Sequence, residues 1–180
     1  DRDSMIFADG AGATIIEKTD DEGGILSHNT ASYTDDEVFY LFYGKSYNPQ
    51  ADEKTKYIKM RGRKVYEFAL TNVPSAMKEC LDLANTDISE IKKILIHQAN
   101  AKMDDAIVKR LYKLFNEESP EKIMPLTVDR FGNSSVATLP TLFDLIVRNK
   151  LGDHKIEKGD KIIFASVGAG MHINAMVYQY

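Results

Sequence analysis

The spacing of apolar residues along the chain predicts three helices. The first covers residues 65–84, where apolar side chains recur every three or four positions, and Pro74 predicts a break near Asn72 with a second helix starting at the proline. The next helix has one apolar face among basic residues, made by Met103, Ala106, Ile107, Leu111, Leu114 and Phe115. The last covers residues 135–150, with Pro140 in its first turns and Gly152 as its stop.

Short runs of β-branched and other apolar residues alternate with these helices. They are residues 94–96, 123–128 and 162–165. Strands that alternate with helices of this length predict an α/β fold in which helices cover a largely parallel sheet. Ligands of such sheets bind beyond the carboxyl ends of the strands, so the residues that follow each strand are candidates for function.

A short pattern occurs twice. Residues 6–12 (IFADGAG) are similar to residues 163–170 (IFASVGAG), and an apolar run follows each copy, which predicts a strand, a Gly-Ala-Gly turn and a strand in both places. Helices and strands precede the second copy, whereas only a few residues precede the first. The repeat predicts two related half-domains, most of the first lying outside this chain; the alternative is chance recurrence of common residues.

Composition and charge narrow the class of protein. The 180 residues are 43% hydrophobic and 28% charged, as in soluble globular domains, and no apolar run approaches the roughly 20 residues of a membrane span. A net charge of −4 provides no basic excess for sequence-independent binding of nucleic acid. The single cysteine, Cys80, excludes an internal disulfide and fits a reducing, cytoplasmic setting. Because the chain starts at Asp1, we expect a processed protein or a piece of a longer one.

Three segments that follow predicted strands could carry chemistry. His97 follows the first strand in HQAN, where a neutral imidazole can donate a hydrogen bond to a developing negative charge, and Asn100 suits the cap of the next helix. Asn133 lies in FGNSSVATLP, whose small residues allow close approach of another backbone. Ala169 lies in the later Gly-Ala-Gly turn, where uncovered backbone N–H groups could form an oxyanion hole. The alternatives are a structural histidine, a turn with a helix cap, and a tight connection between strands.

Taken together and in this order, the HQAN, FGNSSVATLP and Gly-Ala-Gly segments resemble the carboxyl-terminal half of β-ketoacyl-acyl-carrier-protein synthase III, a family of condensing enzymes with the thiolase fold. The ADGAGA of residues 8–13 matches a family segment, and residues 60–69 (MRGRKVYEFA) are similar to another. The resemblance implies a closing hairpin of the preceding half at residues 1–17 and a connecting segment at 18–57. Residues 58–180 are then a thiolase-like half-domain with a mixed sheet covered by helices. The aromatic-rich residues 30–55 do not align; they either cap a substrate pocket, lie at a dimer interface or simply pack.

The resemblance implies a Cys-His-Asn active site and an acyltransferase. The cysteine accepts an acyl primer from acyl-CoA as a thioester, and malonyl-acyl-carrier-protein then loses CO₂ and attacks it, with no further cofactor. His97 and Asn133 match the histidine and asparagine, and the backbone N–H of Ala169 matches the oxyanion donor. Asn100 and Lys102 would contact the pantetheine arm and the carrier protein. The family also implies fatty acid biosynthesis, a cytoplasmic enzyme and a homodimer of the full-length protein, without nucleic acid or membrane as partner.

Two departures from the family pattern matter. Lys102 stands where an arginine is common, which keeps the charge but loses the bidentate fork. A basic patch for an acidic carrier protein is expected from Lys59, Arg61, Arg63 and Lys64; the alternative for each is a solvated surface charge. The nucleophile belongs to the other half of the fold, and Cys80 is interpreted as a buried packing thiol, so we expect this chain alone to be unable to condense.

The sequence is also consistent with other kinds of protein. Within the same fold, the chain could come from a hydroxymethylglutaryl-CoA or polyketide synthase, or from a synthase with unusual primers. In another class, it could be a non-catalytic module that binds a carrier protein. A metal site is not expected, because the four histidines show no close ligand spacing.

Overall fold

In the computed structural model, which describes residues 2–20 and 22–180, six strands and four α-helices follow one another along the chain. The strands are β1 (Gly24–Ser32), β2 (Leu41–Gly44), β3 (Tyr57–Met60), β4 (Ile91–Ile96), β5 (Lys161–Gly168) and β6 (His172–Gln179). The helices are α1 (Gly62–Leu83), α2 (Ala101–Lys113), α3 (Val128–Phe131) and α4 (Thr138–Val147). Short 3-10 helices lie at Arg2–Ile6, Asp36–Tyr40, Ile88–Glu90, Ser135–Ala137 and Ala169–Met171.

The main sheet is mixed, in the order β1-β6-β5-β4. Only β4 and β5 run parallel, while β6 is antiparallel to both β5 and β1. The expectation of a largely parallel sheet is therefore wrong, whereas the mixed sheet is confirmed. The reason is the Gly-Ala-Gly turn, because a connection of three residues between β5 and β6 is too short for a parallel crossover.

Helices cover both faces of this sheet. On one face, α1 and α2 bury a cluster that includes Met77, Leu81, Ile107 and Leu111 together with the inward side chains of β4, β5 and β6. On the other face, α4 packs Leu142 and Ile146 against Leu95 and Ile162. The carboxyl ends of β4 and β5 therefore lie between α2 on one face of the sheet and the segment that leads into α4 on the other.

Helix α1 is continuous through Pro74, so the predicted break near Asn72 is wrong. Proline has no N–H to donate to the carbonyl four residues earlier, which here is Leu70. That carbonyl instead accepts a hydrogen bond of 3.1 Å from Arg110 Nη1 of α2. A side chain 40 residues away thus supplies the donor that the helix lacks.

The first copy of the repeat is not a hairpin. Residues 8–20 form no regular structure, and Phe7 makes a single bridge with Asn133. A strand needs a partner along its length, and within the described residues this segment has one only at that bridge. The second copy is confirmed as strand, turn and strand, since β5 and β6 pair from Lys161–Gln179 to Gly168–His172.

The other predicted helices are confirmed, with small differences at their ends. Asn100 caps α2, because its side-chain oxygen accepts hydrogen bonds from the N–H groups of Lys102 (3.0 Å) and Met103 (3.3 Å). Helix α4 ends at Val147, earlier than predicted, since Asn149 already adopts a positive φ of 54°. No helix in the described parts of the chain has the length and apolarity needed to cross a bilayer.

Candidate active site

One cavity of about 620 Å³ lies beyond the carboxyl ends of β4 and β5. Four of the five predicted site residues line it, namely His97, Asn100, Asn133 and Ala169. Lys102 is exposed in the first turn of α2 and is not among the lining residues. Most of the remaining wall is apolar, so a ligand in this cavity meets a few polar groups at one end and a hydrophobic surface elsewhere.

His97 is fixed by the sheet that precedes it. Its backbone N–H donates to the carbonyl of Ala165 on β5 at 2.8 Å, which continues the pairing of β4 past its end. Burial lowers the pKa of the imidazole, and a hydrogen bond with the backbone of Ser135 opposes this shift only in part. His97 is therefore held in its neutral form near neutral pH, in which one ring nitrogen donates and the other accepts.

Asn133 is 4% exposed and is held by three hydrogen bonds. Its N–H donates to the carbonyl of Ile6 (3.2 Å), its carbonyl accepts from Ala8 (2.9 Å), and its side-chain oxygen accepts from the N–H of Ser135 (2.9 Å). Since the oxygen is committed to the backbone, the capacity left for a ligand is that of the Nδ2 donor. Neutral His97 and Asn133 thus bring two donors to one cavity.

Two glycines in residues 8–13 pack closely against the start of α4 and the small residues before it. A β-carbon on Gly10 would lie 2.9 Å from Ser134 Cβ and 3.0 Å from Ala137 Cβ, and one on Gly12 would lie 2.6 Å from Pro140 Cβ. The close approach of another backbone to this stretch is therefore confirmed. It places Ala8 and Asp9 on the wall of the cavity beside Asn133.

Gln98 has a structural role that the sequence analysis missed. This side chain is fully buried; its Nε2 donates to the carbonyl of Pro125 (2.7 Å), and its Oε1 accepts from the N–H groups of Thr127 (2.7 Å) and Val128 (2.9 Å). The predicted strand at residues 123–128 is therefore wrong. The carbonyl of Ile123 accepts a hydrogen bond from Ile94 of β4 (3.1 Å), but from Pro125 to Val128 one glutamine satisfies the backbone in place of a neighbouring strand. The sequence signal was Pro125, since proline is rare in a paired strand.

Replacing Gln98 by alanine is expected to lower the free energy of unfolding by about 3 kcal/mol, because the buried backbone groups of Pro125, Thr127 and Val128 lose their partners. Urea denaturation followed by circular dichroism measures this change. The exposed Gln50→Ala serves as control and should shift stability by less than about 0.5 kcal/mol. Equal midpoints for Gln98→Ala and Gln50→Ala would show that the buried bonds do not matter.

The hairpin of β2 and β3 lines the cavity through Leu41, Phe42, Tyr43, Ile58 and Met60. Part of the aromatic-rich stretch at 30–55 thus borders this cavity, which favours the pocket-capping alternative. The segment assigned as connecting, residues 18–57, also contributes β1, which pairs with β6 along its whole length.

Lys59 does not belong to a surface patch. It is 1% exposed, and its Nζ lies 3.5 Å from the ring centroid of Tyr47, behind the hairpin. The expectation that Lys59 joins a basic surface is wrong, because its alternation in β3 directs it inward. Arg61, Arg63 and Lys64 are exposed.

Cys80 is poorly placed to act as a nucleophile. It is fully buried on the core-facing side of α1 and does not line the cavity, and burial raises the pKa of its thiol to about 11. A thiol with that pKa is almost entirely protonated at neutral pH and is a poor nucleophile. Within residues 2–20 and 22–180, no three His, Cys, Asp or Glu side chains group closely enough to hold a metal ion.

A family model and similar sequences both match this chain to one protein family. Residues 81–180 match the sequence model of the carboxyl-terminal part of 3-oxoacyl-[acyl-carrier-protein] synthase III. The chain is 32% identical to a β-ketoacyl-[acyl-carrier-protein] synthase III of Erythrobacter litoralis and 30% identical to one of Lactobacillus helveticus. Each alignment covers 98% of this chain but only 52% and 53% of the relative, so the chain spans about half the length of these relatives.

Solved structures agree on the fold. A β-ketoacyl-[acyl-carrier-protein] synthase III of Thermus thermophilus superposes with a TM-score of 0.73 at 25% identity, over 92% of this chain and 49% of that one. A priming β-ketosynthase from a polyketide pathway superposes equally well, with a TM-score of 0.73 at 21% identity over 89% of this chain and 46% of that one. The thiolase-like fold is therefore confirmed, and this chain corresponds to the carboxyl-terminal half of the enzymes it matches.

Proposed function

Because the chain belongs to the 3-oxoacyl-[acyl-carrier-protein] synthase III family, we propose that it supplies the His-Asn half of the active site of an acyltransferase. The complete enzyme would condense an acyl-CoA primer with malonyl-acyl-carrier-protein in fatty acid biosynthesis. The observation that supports this proposal is the convergence of His97, Asn133 and Ala169 on one largely apolar cavity. The reaction needs only the two thioester substrates and no further cofactor.

The decarboxylation step uses the two side-chain donors. The malonyl thioester carbonyl accepts hydrogen bonds from the imidazole N–H of neutral His97 and from Nδ2 of Asn133. As the bond to the carboxylate breaks, CO₂ leaves and its electron pair passes into the thioester as an enolate, whose oxygen the two donors stabilise. The low pKa of His97 keeps the imidazole from holding an extra proton that would quench the carbanion.

The condensation step uses the turn after β5. The enolate carbon attacks the primer thioester on a cysteine that lies outside this chain, and the carbonyl oxygen of the primer becomes an oxyanion. The backbone N–H of Ala169 donates to that oxyanion. That attack forms the new carbon–carbon bond. When the tetrahedral intermediate collapses, the carbonyl re-forms, the carbon–sulfur bond breaks and the cysteine leaves as thiolate, which completes a decarboxylative Claisen condensation.

Substrate delivery is assigned to the mouth of the cavity. With its oxygen used in the helix cap, Asn100 has its Nδ2 to offer the pantetheine arm. Lys102, Arg61, Arg63 and Lys64 are exposed cations that suit an acidic carrier protein, despite the net charge of −4. We expect the full-length enzyme to be a cytoplasmic homodimer with acyl carrier protein and acyl-CoA as partners.

Reversing the charge of Lys102 is expected to weaken binding of malonyl-acyl-carrier-protein about five-fold, as one exposed ion pair contributes up to about 1 kcal/mol. Titration at two salt concentrations measures this, with Lys113→Glu at the other end of α2 as control. His97→Ala should leave the affinity for carrier protein without a malonyl group unchanged, because His97 lies inside the cavity. If Lys102→Glu and Lys113→Glu weaken binding equally, Lys102 has no specific role.

The same variants test the alternative of a non-catalytic carrier-binding module. Such a module would bind carrier protein and respond to Lys102→Glu, but it would release no CO₂ from a malonyl thioester. The His97-dependent release of CO₂ is thus the result that separates an enzyme half-site from a binding module.

A further inference from the structure

His172 supports the Gly-Ala-Gly turn from the side. Gly170 has a φ of +74°, and a β-carbon on it would lie 2.6 Å from Nε2 and 2.9 Å from Cδ2 of His172. The imidazole therefore occupies the space that any other side chain at position 170 would need. It rests directly on the residue that follows Ala169, whose turn lines the cavity.

The imidazole is itself held by the end of β1. Ser32 Oγ lies 2.6 Å from Nδ1 of His172, and the two residues are direct cross-strand partners between β1 and β6. The next residue, Tyr33, donates its N–H to the carbonyl of Met171 at 3.2 Å. Two hydrogen bonds from one strand end thus anchor the residues that leave the turn, including Met171, which is buried at a φ of +48°.

We infer that Ser32 and His172 are positioning residues for the Gly-Ala-Gly turn, and that they fix the direction of the Ala169 N–H toward the cavity. The importance of that direction for turnover rests on the function proposed above. The contact itself does not, since it follows from the packing of the imidazole on Gly170. Neither residue lines the cavity, so they act through the turn and not on the substrate.

The neighbouring row of the sheet provides a matched control. Thr30 Oγ1 donates to Oδ1 of Asn174 at 3.0 Å, again between direct partners of β1 and β6 and on the same face as Ser32 and His172. Thr30→Ala removes a cross-strand hydrogen bond of the same kind without touching the turn. If the loss of any cross-strand hydrogen bond between β1 and β6 disturbs the turn, Thr30→Ala will show the same effect as Ser32→Ala.

The test is ¹⁵N NMR of the 180-residue chain. In His172→Ala and Ser32→Ala, we expect the Ala169 amide resonance to move and its order parameter to fall from about 0.85 toward 0.6, as a supported turn becomes flexible. Thr30→Ala should leave both unchanged, and Ser32→Thr, which keeps the hydroxyl, should restore the wild-type signal. An unchanged Ala169 amide in His172→Ala, in a variant that keeps its wild-type thermal midpoint, would overturn the inference.

The variant Gly170→Ala tests the contact between Gly170 and His172 independently. Its methyl group collides with His172, so the Ala169 resonance should move further in Gly170→Ala than in the double variant Gly170→Ala/His172→Ala. Equal displacement in the two would contradict the packing of the imidazole on this glycine.

A ligand comparison separates this inference from the proposed function. Acetyl-CoA has a thioester carbonyl that Ala169 can hydrogen-bond, whereas S-ethyl-CoA has none. One such bond is worth about 1 kcal/mol, so a His97→Ala/Asn133→Ala background, which removes the two side-chain donors, should prefer acetyl-CoA about five-fold, and adding His172→Ala should abolish that preference. No preference in this background would overturn the role of Ala169 in the proposed function, while the NMR result would still decide the role of His172.

Discussion

Release of CO₂ from a malonyl thioester is expected to slow about 100- to 1000-fold when His97 is replaced by alanine, which is the usual cost of removing one preorganised donor from a developing oxyanion. The burial of His97 is the reason for an effect of this size. A donor held in a partly desolvated cavity stabilises charge more strongly than water does, and alanine offers no replacement. Coupled detection of CO₂ with malonyl-CoA as substrate measures the rate.

Three further variants test whether a change in that rate comes from the loss of a hydrogen-bond donor. His97→Gln keeps a donor and should recover part of the lost activity, and Asn133→Ala should cause a loss similar to His97→Ala. His28→Ala removes an exposed histidine that does not line the cavity and should leave the rate unchanged. A rate in His97→Ala within two-fold of wild type would refute the assignment of His97 as a donor.

The contribution of Asp104 on α2 to stability is expected to become increasingly unfavourable as pH rises from about 4 to 7. This carboxyl group is fully buried, neither oxygen makes a hydrogen bond of normal geometry, and burial raises its pKa from 3.8 to about 7. The backbone of Asn100 opposes that shift only in part. Below pH 4 the group is protonated in both states, whereas between pH 4 and 7 the unfolded chain loses the proton that the folded chain keeps.

The size of this effect follows from the shift in pKa. At about 1.4 kcal/mol for each pH unit, the penalty reaches about 4 kcal/mol above pH 7 and then remains constant. Asp104→Leu is therefore expected to raise the free energy of unfolding by several kcal/mol at pH 8 and very little at pH 4. Urea denaturation at the two pH values measures the difference.

The next residue along the helix is a matched control. Asp105 is exposed and pairs with Lys109 at 2.8 Å, so Asp105→Asn should change stability by less than about 0.5 kcal/mol at either pH. If Asp104→Leu has the same small and pH-independent effect as Asp105→Asn, the carboxyl group of Asp104 is solvated in solution and the pKa argument is wrong.

The sequence predicted those parts of the site that depend on local order along the chain. His97, Asn100 and Ala169 each follow a strand or begin a helix, so apolar spacing places them at the carboxyl ends of β4 and β5. Asn133 was found in the same way, although the strand assigned before it does not exist. The turn and the small residues around it were sufficient to mark the position.

The errors share one physical cause, which is a partner distant in sequence. Helix α1 continues through Pro74 because Arg110 donates to Leu70, and residues 125–128 form no strand because Gln98 satisfies their backbone. Lys59 is buried because the ring of Tyr47 covers it. None of these contacts follows from periodicity or propensity, since each depends on which segments the fold brings together.

We propose that this chain holds the donors of a condensing enzyme but not its nucleophile. Mass spectrometry of the products formed by the 180-residue chain from acetyl-CoA and malonyl-CoA tests this claim most directly. We expect CO₂ and acetyl-CoA derived from the malonyl group, in equal amounts and dependent on His97, and no acetoacetyl-CoA. Formation of acetoacetyl-CoA that disappears in Cys80→Ala would contradict the account, because it would make the buried thiol of α1 the acyl acceptor.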